Sequence, residues 1–362
     1  MAERLKDQFF TRKSLETFAV AIKKQYPEFN KEQFNRLIYD SNWDHCELKQ
    51  KMRHTTECLR QTLPEDYETA VSILKKAAPN ISGFEAMTLP DFVELYGIEH
   101  WDLSLSALAH FTRFSSSEFA IRPFLAKKPK ETMAFMSQLA ESEDEKVRRF
   151  ASEGCRPRLP WAMALPGFKK DPSLILPILE KLKNDESESV RRSVANNLND
   201  ISKDNPDIVL ELAEKWFGDS RNTDEIIKHA CRTMLKEGNK RALIIFGFEN
   251  PDNLTVNNLT LSKKSITIGD ELHFSFKLAV EGKKECKVRL EYGVYYLKAN
   301  GKHNRKVFQI SEKTFPPGTY SVSRKQSFIN MSTRKHHAGK HEISIIVNGE
   351  EKQKIDFMLA NT

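Results

Sequence analysis

Arg149, Glu153 and Arg156 fall at i, i+4 and i+7, so a helix through them carries all three on one stripe. A carboxylate then lies between two guanidinium groups. Val147, Phe150, Ala151 and Gly154 repeat at i, i+3, i+4 and i+7 a turn away around the same helix and make its packing stripe. Pro157 ends the helix, and Arg158, Leu159, Pro160 and Trp161 follow at its exit. Two readings stand. The plain one is an ion-paired, solvated helix face, because such pairs are common. The other is the edge of an active site, with arginines holding phosphates and the carboxylate facing a reacting sugar.

The elements that must position these residues are helical up to about residue 249. Residues 14–24, 44–63 and 64–76 carry apolar side chains at three- and four-residue spacing. Pro90, Pro123, Pro172 and Pro206 punctuate the region as helix starts. An internal repeat lies at its centre. Glu145-Lys146-Val147-Arg148-Arg149-Phe150-Ala151 resembles Glu188-Ser189-Val190-Arg191-Arg192-Ser193-Val194, and Glu225-Ile226-Ile227-Lys228-His229-Ala230 is a weaker third copy. An apolar helix precedes each, over 131–140, 172–183 and 206–217. Paired helices at a period near 40 residues predict a HEAT-like solenoid, whose concave side is its default binding surface.

Beyond 250–254 the period changes to two. Residues 265–268, 271–278, 287–296 and 341–347 alternate, and Asn348-Gly349 closes the last of these. The expected organisation is multidomain, α then β: a HEAT-like repeat domain over 1–250 and an immunoglobulin-like β-sandwich over 254–362. From Asp252 onward there are 19 Lys and Arg against 11 Asp and Glu, a surplus of +8. The rest of the chain carries −1 of the net +7. A basic module joined to a near-neutral one commonly meets a polyanion. The five cysteines are scattered and contain no CxxC pair, which favours a reduced, cytoplasmic setting over a disulfide framework or zinc ligation. No apolar run approaches the roughly 18 residues of a membrane span, and the N-terminus has no apolar h-region.

The run from Val147 to Trp161, VRRFASEGCRPRLPW, closely resembles the central signature of AlkC-type DNA alkylation-repair glycosylases, within the wider AlkC/AlkD group. So do Ser117-Glu118-Phe119-Ala120-Ile121-Arg122-Pro123-Phe124 and Val190 through Asp200. The likeness runs from about residue 10 to residue 247. Some members of that family carry an immunoglobulin-like C-terminal domain, which residues 339–349 also resemble. The resemblance implies an enzyme of base excision repair that removes cationic N-alkylated bases, such as 3-methylcytosine and 3-methyladenine, from duplex DNA. It implies no flipping of the base into a pocket, no cofactor and no metal.

Matched residue by residue, the resemblance makes Glu153 the best candidate for a carboxylate near C1′ of the sugar. Glu118 and Asp200 fall at the family's other acidic positions, and Trp161 would lie against the sugar. Asp200 follows Arg192 by two helical turns, which directs it to the same face. Arg149 and Arg156 would hold the lesion strand, with Arg148, Arg158, Arg191 and Arg192 as further DNA contacts. Each residue also has an ordinary reading: Glu118 as a helix-start acid, Asp200 as a helix-end charge, Trp161 as a core anchor.

Leu165-Pro166-Gly167-Phe168-Lys169-Lys170 slightly resembles the hairpin of helix-hairpin-helix glycosylases, but the second glycine is missing and Pro172 blocks the following helix. The expected structure is a turn into the Pro172 helix, with Lys169 and Lys170 near phosphate. His336, His337 and His341 are expected in a loop beside a strand, where Arg334, Lys335 and Lys340 form a basic patch for a DNA backbone. The partner is then alkylated duplex DNA, without a membrane, and the chain is expected to be monomeric. Two rivals remain: a non-catalytic HEAT-repeat scaffold and a damaged-DNA-binding protein without catalysis.

Overall fold

The computed structural model describes residues 8–248, 251–331 and 335–361. Two compact units divide them. The first runs to Val209 and adds Gly218–Ala230; the second takes Leu210–Phe217 and the chain from Cys231 onward.

The first unit is helical among its described residues, and the repeat organises its second half. The helix Glu145–Gly154 opens on Asp144, whose carboxylate accepts from Lys146 N at 2.9 Å and satisfies a donor that the helix start leaves free. This helix packs on Glu188–Ile201, which packs in turn on Arg221–Ala230. These three carry the three copies of the sequence repeat. Pro129–Leu139 and Leu176–Leu182 pack on the Glu145–Gly154 helix as a second layer, and Leu176–Leu182 also reaches Glu188–Ile201. The apolar stripes Val147, Phe150, Ala151 and Val190, Val194, Leu198 are buried between them, as HEAT-like pairs require. A Cβ on Gly154 would stand 2.9 Å from Ile121 Cγ2 and Met136 Cε, so glycine lets the end of the helix approach its neighbours.

Three local expectations differ. Residues 44–63 are not one helix: a short 3-10 turn, Trp43–His45, precedes Leu48–Arg60. The stretch expected as a turn forms a five-residue helix, Pro166–Lys170, because proline at its first position is already set for a helix. The helix expected from Pro172 begins at Leu176, and the Pro172 carbonyl instead closes a turn, accepting from Ile175 N at 2.8 Å.

The strands of the second unit are β1 (Leu254–Leu261), β2 (Ser265–Thr267), β3 (Glu271–Val280), β4 (Cys286–Leu297), β5 (His303–Phe315), β6 (Gly318–Ser327), β7 (Gly339–Val347) and β8 (Glu350–Ala360). They form a three-stranded sheet in the order β1-β3-β6 and a five-stranded sheet in the order β2-β8-β7-β4-β5. The pairing is antiparallel throughout except for β2 with β8. Leu272, Phe274, Phe276 and Leu278 of β3 alternate into a shared core with Val288, Leu290 and Val294 of β4 and Ile343, Ile345 and Val347 of β7. Asn348 and Gly349 both take positive φ, 46° and 80°, as a two-residue hairpin turn requires.

The expected histidine loop is partly core. His341 is fully buried, stacked on Phe357, with Nε2 against His337 O at 2.9 Å. His336 is buried beside Tyr296 and Phe328. Burial lowers the His341 pKa, since its charged form has no room for water there. Two of the three histidines therefore belong to the aromatic core and not to an exposed basic loop.

Candidate active site

Glu153 sits in the last turn of the Glu145–Gly154 helix with its side chain 8% exposed. Arg156 Nη1 donates to Glu153 Oε1 at 2.6 Å, and Arg149 Nη2 stands 3.8 Å from the same oxygen. Ser193 Oγ, from the next repeat helix, donates to Glu153 Oε2 at 2.7 Å. Both carboxylate oxygens are thus held by hydrogen-bond donors from two different elements.

The other two acids join through the same arginines. Arg149 Nη1 donates to Glu118 Oε2 at 3.0 Å, and Ser116 Oγ also donates to that carboxylate. Arg156 Nε donates to Asp200 Oδ2 at 2.9 Å, and Lys203 Nζ reaches Asp200 Oδ1 at 3.1 Å. The resulting chain of charges is Glu118, Arg149, Glu153, Arg156, Asp200 and Lys203. It crosses the two repeat helices and the turn before Arg122–Lys127. Burial raises the Glu118 carboxyl above its usual range, against the pull of Arg149. Burial opposes the charge of Arg149 and of Arg156, but the facing carboxylates outweigh it and both pKa values rise.

The solvated helix face of the plain reading is not what forms. Glu153, Arg156 and Asp200 are all buried, and in so low a dielectric a broken pair would be costly. The array still opens to solvent: Arg149, Glu153 and Ser193 line an open depression of about 360 Å³ with Glu188, Ser189, Arg192 and Asn196. Glu118 lies in a turn and not at a helix start, and Asp200, in the last turn of Glu188–Ile201, is at a helix end but buried rather than a surface charge. Trp161 is no core anchor; it is 61% exposed and takes φ 65°. That left-handed conformation costs a non-glycine residue roughly 1–2 kcal/mol.

The remaining expected contacts divide by what holds them. Arg148 is buried, paired with Asp185 at 2.6 Å and donating to Ser142 O and Glu143 O. Asp185 in turn accepts from Ser187 N at the start of the next repeat helix, so Arg148 joins successive repeats. Arg191 donates to Asp185 O and Glu186 O. Arg158 pairs with Asp204 at 2.6 Å, and Arg192 pairs with Glu188 on an exposed face. Lys169 and Lys170 end the short Pro166–Lys170 helix. Lys335 is exposed, Lys340 stands 3.5 Å from Asp356, and Arg334 lies outside the described residues.

Sequence reasoning missed two residues of this array. Ser193 reads as a small residue of the packing face. Arg122 is fully buried, its Nη1 donating to Gly154 O at 3.1 Å and Arg156 O at 2.9 Å, its Nε to Met163 O. Burial brings its pKa down to about 10. The available signal was an arginine set among Ala120, Ile121 and Phe124, where a solvated side chain has no place.

Residues 33–241 match the family described as DNA alkylation repair enzyme. The chain belongs to that family. Residues 255–361 match the C-terminal Ig-like domain of uncharacterised protein YhaZ. Uncharacterized protein YhaZ of Bacillus subtilis (strain 168) is 46% identical over 339 residues, 93% of this chain and 94% of that one. Alkylpurine DNA glycosylase AlkC of Pseudomonas fluorescens, solved bound to DNA containing an abasic site analog, is 35% identical. The match covers 98% of this chain and 99% of that chain at a TM-score of 0.94. The acidic array thus lies inside the part of the chain that carries the DNA alkylation repair family's pattern. Among the described residues of this family member, no helix is long and apolar enough to cross a membrane. No group of three or more His, Cys, Asp or Glu gathers there as a metal site.

Proposed function

We propose that this family member is a monofunctional DNA glycosylase. It hydrolyses the N-glycosidic bond of cationic N-alkylated bases, such as 3-methylcytosine and 3-methyladenine, in duplex DNA. The observation that carries this reading is Glu153, held on both oxygens by Arg156 and Ser193 and opening onto a solvent-facing depression. The likeness to AlkC over nearly the whole length supports it.

The chemistry follows from charge. Alkylation of a ring nitrogen makes the base a cation and a good leaving group, so cleavage needs no Lewis acid to activate it. Positive charge builds on the deoxyribose as the bond breaks. A fixed carboxylate at C1′ stabilises that charge and orients or deprotonates the attacking water. Arg156 and Ser193 fix the orientation of Glu153, which suits it to both tasks. Arg149 and Arg192, which line the depression, would meet backbone phosphates in this reading. An open depression, unlike a deep enclosed pocket, also suits attack on the sugar without extruding the base.

The test is release of free methylated base from methylated duplex DNA in the presence of EDTA. The product should be an intact abasic strand that breaks only on added alkali. No base release, or a covalent adduct trapped by borohydride, would reject the monofunctional reading.

A further inference from the structure

Residues 158–164 leave the catalytic helix after Pro157 and carry Trp161. The indole is largely in solvent, so packing does not hold it, and its backbone φ of 65° is disfavoured. Something else must fix this segment. Its carbonyls are gripped by two cations from distant parts of the helical unit. Lys49, in the helix Leu48–Arg60, donates from Nζ to Trp161 O at 2.7 Å. Arg122 donates to Met163 O on the far side of Trp161, and to Gly154 O and Arg156 O at the helix end.

Each cation also contacts a residue in or beside the acidic array. Lys49 Nζ lies 5.1 Å from the centre of the Phe119 ring, next in sequence to Glu118. Asp91 and Glu94 are near enough to attract it electrostatically. Arg122 holds the backbone of Arg156, whose side chain binds Glu153 and Asp200. Among the described residues Arg122 has no carboxylate in hydrogen-bond contact, and three carbonyls accept from it instead. Burying a cation on carbonyls alone is a poor way to gain stability. It is a good way to fix where those carbonyls stand.

We propose that Lys49 and Arg122 are positioning residues that hold Trp161 as a fixed prong in register with Glu153 and Arg156. Neither needs to touch the lesion. The kinetic consequence rests on the glycosylase reading; the positioning itself does not.

The experiment uses the full chain labelled with 5-fluorotryptophan. The Trp161 resonance is assigned by its loss in Trp161→Phe. Lys49→Met keeps the aliphatic stem and removes the donor, Lys49→Arg restores a donor, and Arg122→Lys weakens the second grip. In Lys49→Met and Arg122→Lys the Trp161 signal should shift or broaden while the other tryptophans stay put. Base release at saturating enzyme should fall about tenfold, as expected when a contact group is displaced, with DNA affinity changed less than about twofold. Lys49→Arg should recover most of both. An unmoved Trp161 signal in both variants would overturn the proposal, as would a rate loss carried wholly by weaker DNA binding. If wild-type protein releases no base, the glycosylase reading fails and the fluorine spectra alone decide whether the prong is held.

Discussion

At the scale of single residues, the array divides chemistry from architecture, and its acids are not equivalent. Glu153 has both oxygens bound and faces the depression. Glu153→Gln should keep the fold and DNA binding but slow single-turnover base release on the order of a hundredfold, the usual scale for one positioned charge or base. A rate within threefold of wild type would remove Glu153 from the mechanism. Glu118 makes a different prediction, about stability. Its folded pKa is raised by burial, so folding favours the protonated form. The stability it lends is present at low pH and is lost as pH rises through the folded pKa. Glu118→Gln also removes the partner of Arg149, a loss felt at every pH, so the sign-definite expectation is the trend: the variant should gain on wild type as pH rises through the carboxylate range. Melting curves across pH check this; a stability difference that stays constant or moves toward wild type as pH rises would show that burial does not raise the Glu118 carboxyl. The Arg149–Glu153 spacing was legible because helical spacing is local; the helix stops at Gly154, so Arg156 is not on the expected stripe and reaches Glu153 from the turn beyond the helix end. Asp200 was legible one helix away, because the repeat puts it on the same face. Arg122 was not, because its acceptors are carbonyls 32 to 41 residues away and carbonyls carry no sequence signal.

At the scale of elements, the helical repeat was easier to read than the sandwich. Helices announce themselves through stripes that survive solvent on the other side. Strands β3, β4 and β7 showed alternation because one face meets a core. β5 is an edge strand with mostly exposed or half-buried residues and β1 breaks register between Asn257 and Thr260, so neither keeps a clean period of two. β6 and β8 are rich in charged and polar residues on both faces and escaped for the same reason. The second unit also holds the helices Arg232–Glu237 and Lys240–Ile245. They meet the sandwich at a close backbone crossing: a Cβ on Gly349 would stand 2.7 Å from Gly238 Cα and 2.8 Å from Leu243 Cδ1. Both glycines have positive φ, 76° and 80°. Gly349→Ala should thus destabilise by about 2 kcal/mol or more, combining left-handed strain with a backbone clash. Chemical denaturation would measure it. A change under about 0.5 kcal/mol, the range of ordinary surface substitutions, would show that the crossing yields.

At the scale of the whole molecule, charge is the property that no single element explains. The chain from Asp252 onward carries +8 and the remainder −1. Several arginines of the helical unit are already engaged internally: Arg148, Arg156 and Arg158 each hold a carboxylate, and Arg191 donates to backbone carbonyls. Surplus charge for a long polyanion therefore has to come largely from the basic unit. A phosphate contact releases condensed counterions, and each one adds about 0.9 to the slope of log affinity against log salt on duplex DNA. Lys335 is exposed, and Lys340 is 59% exposed with only a 3.5 Å pairing to Asp356, so both remain available to phosphate. The double variant Lys335→Ala, Lys340→Ala should lower the salt slope by up to about 1.8 if each meets one phosphate. It should leave base release at saturating enzyme nearly unchanged, because neither residue belongs to the acidic array. Binding to undamaged and methylated duplexes should weaken equally, since a phosphate contact carries no information about the base. An unchanged slope over a salt series would mean that this basic surface serves solubility or a protein partner instead. A fall in the saturated rate would mean that it helps deform the duplex at the lesion, because bending energy enters the transition state only if the bound geometry depends on it.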